Sequence, residues 1–124
     1  LVRALVQVSQ ARQFLRDQAG AQGPLWRAIA IIERTQGLDG AALALPLRHL
    51  GSSLRLDGQL DKALVVLARG YEIARADSVA NPHIAAIADG LGWTFERLGR
   101  TEEAQLFRDR NYLLRKIGSA TYQL

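Results

Sequence analysis

The chain is 124 residues long, 48% hydrophobic, 23% charged and 6% aromatic, which suits one globular domain and excludes collagen-like and compositionally disordered chains. No apolar run reaches the roughly 18–20 residues of a bilayer span and no signal-type leader opens the chain, so membrane insertion is not expected, and a cytoplasmic location is the default expectation. Sixteen Lys and Arg against twelve Asp and Glu give a net charge of +4, and the lack of cysteine excludes disulfides, thiolate zinc sites and cysteine nucleophiles.

Apolar residues recur at helical spacing almost throughout and alternating β-branched runs are missing, which predicts an all-α fold. The first helix is predicted over 2–19, with Leu5, Val8, Ala11, Phe14 and Leu15 on one face, breaking at Gly20-Ala21-Gln22-Gly23. Pro24 suits the first turn of a second helix over 24–36, which Gly37 stops. Asp39 is expected to cap a third helix over 40–57, ending at Asp57-Gly58; Pro46 would kink it unless the regular helix begins near Leu45. A fourth helix is predicted over 59–77. Asn81-Pro82 opens a fifth over 81–98, closed by Gly99, and Thr101 caps a sixth over 101–118, with Glu102 and Glu103 in its first turn. Over these six helices the charge is +2, +1, +1, 0, −1 and +1, without the one-sided concentration of a dedicated nucleic-acid binder. The absence of methionine and an opening Leu1-Val2 that reads as mid-helix suggest a piece of a longer chain.

Three segments align as internal repeats: those starting at Leu25, Leu60 and Thr101, each with alanine fourth (Ala28, Ala63, Ala104). Upstream, Leu50-Gly51-Ser52-Ser53-Leu54 matches Leu91-Gly92-Trp93-Thr94-Phe95, and each glycine lies twelve residues before its alanine, giving a period of 41 (92 − 51). With Ala11 and Phe14 at the Gly51 and Leu54 positions, the first hairpin is divergent and needs an enlarged turn at 19–24. Glycine and alanine at these places let paired helices approach closely, while the larger residues fill the space between hairpins.

Leu50-Gly51-x-x-Leu54 with Ala63, and Leu91-Gly92-x-x-Phe95 with Ala104, resemble the Leu-Gly-x-x-Tyr…Ala pattern of tetratricopeptide repeats, with Gly58 and Gly99 at the turns within each repeat. The long period is similar to the variant found in kinesin light chains and many bacterial regulators. Sel1-like, HEAT and other α-hairpin repeats are the structural alternatives. The resemblance implies a right-handed superhelical array of six helices in three hairpins: a divergent hairpin over 1–37, then repeats over 40–77 and 81–118. It further implies that the first helix of each hairpin lines a concave groove. Groove positions would then include Arg48, His49, Ser52 and Arg55, with Asp89, Trp93 and Glu96 from helix five, and Arg12 and Arg16 from the divergent first helix. Guanidinium groups pair bidentately with carboxylates, so this arginine set suits an acidic or C-terminal carboxylate ligand. The Lys and Asn of the carboxylate clamp in chaperone-binding members are missing from these positions. Trp26 aligns with Asp61 and Glu102, both expected to be exposed, which makes it a candidate partner contact or a contact with missing upstream sequence.

No catalytic machinery is expected. His49, Ser53 and Asp57 share a helix face at i, i+4 and i+8, but a hydrolase triad also needs an oriented base and an oxyanion site. His49 and His83 are the only histidines, no metal-binding or Walker motif occurs, and no cofactor or metal is implied. The expected function is a protein–protein interaction module that holds a peptide or helix of a partner protein in its groove or stacks with further repeats. The alternative is a ligand-sensing or oligomerisation segment of a bacterial transcription regulator or signalling protein. Homo-oligomers through the repeat ends fit either reading, because the chain ends at Thr121-Tyr122-Gln123-Leu124 without a polar capping helix. RNA binding, suggested only by the net charge and arginine content, is disfavoured.

Overall fold

The structure, a computed structural model, describes residues 1–110; the remainder of the sixth predicted helix and the chain end lie outside the described residues. Those residues are all-α. Five complete helices, α1 (Val2–Phe14), α2 (Gln18–Gln36), α3 (Ala44–Leu56), α4 (Leu60–Asp77) and α5 (Ile84–Arg97), are followed by α6, helical over 101–110. No helix among them is long and apolar enough to cross a membrane.

Three tight turns organise the chain, and all three are built alike. After α3, the amide of Gly58 donates to Arg55 O (3.2 Å) and that of Gln59 to Leu54 O (2.9 Å), with Gly58 at φ +82°. After α5, Gly99 N donates to Glu96 O (3.1 Å) and Arg100 N to Phe95 O (2.8 Å), with Gly99 at φ +78°. These are Schellman closures, in which a left-handed residue lets the last carbonyls of the helix find donors. After α1 the same pair of bonds joins Arg16 N to Gln13 O (2.9 Å) and Asp17 N to Arg12 O (2.8 Å), and the left-handed residue is Arg16 at φ +62°. The following helix then starts identically each time. Ala21, Ala63 and Ala104 donate to the carbonyls of Asp17, Gln59 and Arg100 at 3.1, 2.9 and 3.1 Å.

This places the first turn at Leu15–Asp17, not at 19–24, and makes Ala21, not Ala28, the partner of Ala63 and Ala104. The three turns therefore stand 42 (58 − 16) and 41 (99 − 58) residues apart, and Ser9 takes the place of Gly51 and Gly92. All three are buried; Ser9 Oγ donates to Ala21 O at 2.8 Å, which accommodates a side chain where the others have none. At Gly51 there is no such room. A Cβ there would lie 2.3–2.4 Å from Cδ2 and Cγ of Leu67.

Other boundaries differ for local reasons. Pro24 lies inside α2, where its ring leaves Gly20 O without the usual i+4 amide; Arg12 Nη1 donates to that oxygen instead, at 2.7 Å. Asp17 caps α2, accepting from Gly20 N at 2.9 Å. α3 begins at Ala44 after a 3-10 turn over Ala41–Leu43, so Pro46 stands in its first turn, where a missing amide costs nothing; Asp39 makes no capping bond. Asn81 Oδ1 accepts from His83 N (2.9 Å) in a turn that carries Pro82, and α5 starts at Ile84. Thr101 is the first residue of α6, preceded by the Arg100 cap.

Each helix packs against the next. In addition α1 packs on α3 and α3 on α5, whereas α2 and α4 meet only through side chains, with Arg69 paired to Glu33. The core is accordingly a chain of interhelix layers: Leu25, Ile29 and Ile32 from α2, Leu47, Leu50 and Leu54 from α3, Leu67 and Ala74 from α4, and Ile84, Ile87 and Leu91 from α5. Phe107 of α6 closes the far end, stacked on Phe95 (5.6 Å between centroids) and edge-on to Tyr71 (5.3 Å). The predicted apolar face of α1 holds only at Leu5, which packs partly buried against the core. Val6 and Ser9 are buried, while Leu1, Val8, Phe14 and Leu15 are exposed.

Candidate functional site

The side of the fold on which α1, α3 and α5 lie adjacent carries two clefts. Between α3 and α5, a cleft of about 150 Å³ is walled by Arg48, Ser52 and Arg55, three residues one turn apart on α3. Ala86 and Gly90 of α5 face them across the cleft and Leu67 of α4 lines it too. Small residues on α5 leave the opening that the long α3 side chains border. Burial pulls the Arg55 guanidinium below its ordinary pKa, a sign of partial desolvation. Its Cζ lies 4.8 Å from the ring centroid of half-buried Trp93, as does that of Arg97. None of the four ion pairs among the described residues involves Arg48, Arg55 or Arg97.

The second cleft is larger, about 600 Å³, and lies where α1, the end of α2 and the start of α3 meet. Val2, Val6, Ile32, Leu45 and Pro46 give it an apolar lining; Arg3, Gln7, Gln10 and His83 supply polar groups. The two clefts meet at Arg48. Its Nη1 donates to His83 Nδ1 at 3.3 Å, and because a guanidinium only donates, Nδ1 must be the unprotonated nitrogen. Burial first, and then the Arg48 charge, lowers the His83 pKa from its ordinary value. His49 is lowered too, by burial first, then by Arg48 and His83. Its Nε2 accepts from the Gln10 amide at 3.2 Å, so it too is held as a neutral acceptor.

The candidate residues thus separate into groups. Arg48, Ser52 and Arg55 converge on one cleft, and Trp93 joins them through Arg55. His49 turns toward α1. Glu96 lines a neighbouring cleft with Trp93 and Arg97 and pairs with Arg108 of α6, and Asp89 is exposed on α5. Arg12 is committed to Gly20 O and Arg16 to the first turn, so neither belongs to the cleft walls. Trp26 lies elsewhere. It is 47% exposed and borders a cleft of about 440 Å³ lined by α2 and α4, with Val65 and Leu54.

His49, Ser53 and Asp57 form no triad. Ser53 Oγ accepts from Gln13 Nε2 (2.5 Å) and Asp57 Oδ2 from Gln22 (3.2 Å) and Gln59 (2.6 Å), so these groups tie the first hairpin to the second. No cluster of three or more potential metal ligands occurs among the described residues. Sequence reasoning missed the larger cleft and the roles of His83 and Arg97. The signal was present: with Arg16 in register with Gly58, Val6 and Gln10 fall at the positions of Arg48 and Ser52. The sequence matches no family model and no curated protein.

Proposed function

We propose that the chain is a cytoplasmic tetratricopeptide-like interaction module, a right-handed superhelical array of α-hairpins that holds an acidic peptide segment of a partner protein on the face formed by α1, α3 and α5. The fold assignment is supported by three hairpins with identical turn bonding at a 41–42-residue spacing, and by adjacency of the first helices where the second helices meet only through side chains. The cleft bordered by Arg48, Ser52 and Arg55 carries the ligand assignment. Two half-buried arginines in none of the ion pairs, with a hydroxyl between them, suit a carboxylate. No catalytic step is assigned to it.

Selection from a displayed random-peptide library, run against the chain and its Arg48→Glu/Arg55→Glu variant, tests the reading. Peptides enriched in Asp, Glu or a free C-terminal carboxylate should emerge with the parent and be lost with the variant, which must retain its helical circular dichroism. Equal recovery of acidic peptides by both proteins, or recovery of peptides without acidic bias, would sink it.

One observation favours the second reading, an oligomerisation or sensing segment of a larger bacterial regulator. Leu1 and Val8 of α1 are 72% and 44% exposed, whereas Leu43 and Leu50, 42 residues further on, and Ile84 and Leu91, a further 41 on, are at most 2% exposed. The positions buried at α3 and α5 are thus presented to solvent at α1. A further repeat or a second copy covering them would make this segment part of an assembly.

A further inference from the structure

The cleft between α2 and α4 is on the other side of the fold from the arginine cleft, and the proposed peptide-holding role does not use it. Two large apolar side chains that the fold leaves out converge on it: Trp26, 47% exposed, and Val65, 71% exposed. Leu54 and Val66, both buried, also line it. Polar bridges flank it along the seam. At the turn end Gln59 Nε2 donates to Gln22 Oε1 (3.4 Å), and both amides donate to Asp57. At the other end Arg69 pairs with Glu33 across the helices at 2.9 Å. The lining residues span Gln22 to Trp26 on α2 and Asp61 to Val66 on α4, about 6–8 Å at the rise of an α-helix. That is less than two turns of helix, and it suits one large side chain with its flanking backbone.

Charge narrows the occupant further. The ionisable residues lining this cleft are Asp61 and Lys62, which cancel, whereas the charged residues lining the two inner clefts are Arg48 and Arg55 in one and Arg3 in the other. The inner clefts favour anions; the outer one favours a neutral group. Its aromatic wall also belongs to this seam alone, since the residue in register with Trp26 on α4 is Ala68 and on α6 Asp109.

We infer that the outer cleft is a socket for a single uncharged aromatic side chain of a partner polypeptide, seated against Trp26 and Val65. Buried aromatic anchors in such pockets dominate many protein interfaces, and a ring meeting Trp26 gains from offset or edge contact. The socket is independent of the acidic-peptide reading and can hold whether or not that reading does.

The test is a nuclear magnetic resonance titration of the chain with N-acetylphenylalaninamide, with N-acetylglutaminamide and N-acetyllysinamide as polar and cationic controls. Expected are saturable shifts of the Trp26 Nε1–H and the Val65 and Val66 methyls with the aromatic probe alone. A Val65→Glu variant, which should fold because Val65 is exposed, is expected to weaken binding at least tenfold, while Arg48→Glu/Arg55→Glu leaves it unchanged. Absence of saturable shifts at these groups, comparable shifts from either control, or shifts that survive Val65→Glu in a correctly folded protein would each overturn the inference.

Discussion

Replacing Arg16 by glycine should stabilise the protein. Arg16 holds φ +62° in a turn whose two counterparts use glycine at +82° and +78°, and the left-handed conformation costs a side-chain-bearing residue about 1–2 kcal/mol. Glycine removes that cost but returns about 0.4–1 kcal/mol through the greater freedom of the unfolded chain, leaving a net gain of about 0.5–1 kcal/mol. The substitution also deletes a cation near the end of α1, worth a few tenths of a kcal/mol against the helix dipole. Comparison with Arg16→Ala isolates the backbone contribution, since alanine loses the charge and keeps the strain. Nothing lies within 4 Å of a Cβ built on Gly58 or Gly99, so Gly58→Ala and Gly99→Ala should be destabilised by the backbone effect alone, by about 1 kcal/mol each. In thermal melts followed by circular dichroism or calorimetry, the glycine variant at 16 should melt about 4 °C above the alanine variant per kcal/mol gained. If Arg16→Gly melts at or below Arg16→Ala while Gly58→Ala is destabilised, the three turns are not equivalent and the register built on them fails.

Three further outcomes follow from the same geometry. Gly51→Ala drives a methyl into Leu67 Cγ and should cost about 1–3 kcal/mol, whereas Gly92→Ala, whose nearest neighbours would be 3.6–3.7 Å away, should be neutral or stabilise by up to about 1 kcal/mol; urea midpoints showing the same sign for both would contradict this packing. Val8→Glu should change stability by less than about 0.5 kcal/mol and Leu50→Glu should unfold the chain, while sedimentation of Val8→Glu against the parent reports whether the α1 face mediates self-association. The pH dependence has a definite sign: the folded-state pKa values of His49 and His83 are lowered from 6.5, so below about pH 6.5 the unfolded chain binds more protons and stability falls with pH until the folded values are passed. His49→Gln with His83→Gln should flatten the urea midpoint between about pH 7 and pH 5, and an unchanged slope would remove the histidines as its source.

How far the fold was legible depended on whether each turn obeyed the usual chemistry. Gly58 and Gly99 marked their turns correctly, and α4 was expected over 59–77 and is found over Leu60–Asp77. The first hairpin violates two rules at once. Its left-handed turn residue is an arginine, and the proline that marks a helix start is instead tolerated inside α2 because Arg12 satisfies the carbonyl it orphans. The break was therefore read at the next available glycines, and the first repeat was aligned seven residues late, on Ala28 in place of Ala21. That slip assigned Arg12 and Arg16 to the groove and hid Val6 and Gln10. Of the expected apolar face of α1 only Leu5 packs on the core, since periodicity identifies a stripe without saying whether a neighbouring helix covers it. Arg48, Ser52 and Arg55 were legible because they lie on a helix whose register was set by two well-formed repeats.

The corrected register gives the candidate site a direction. Matched positions run across the inner face as Val6, Arg48, Asp89 and, one turn on, as Gln10, Ser52, Trp93, passing from uncharged groups on α1 through cations on α3 to a mixed surface on α5. Arg48 stands at the centre of this progression. It borders the anion-suited cleft on one side and donates to His83, in the lining of the apolar cleft, on the other. Neutral His83 accepts from Arg48 and leaves the remaining guanidinium donors for a ligand; protonated His83 can no longer accept at Nδ1 and sets a second cation beside the first. A carboxylate in the α3–α5 cleft would offset that repulsion. Bound anion and proton are therefore expected to favour each other at this junction, so that lowering pH strengthens anion binding over the same interval in which it weakens the empty fold.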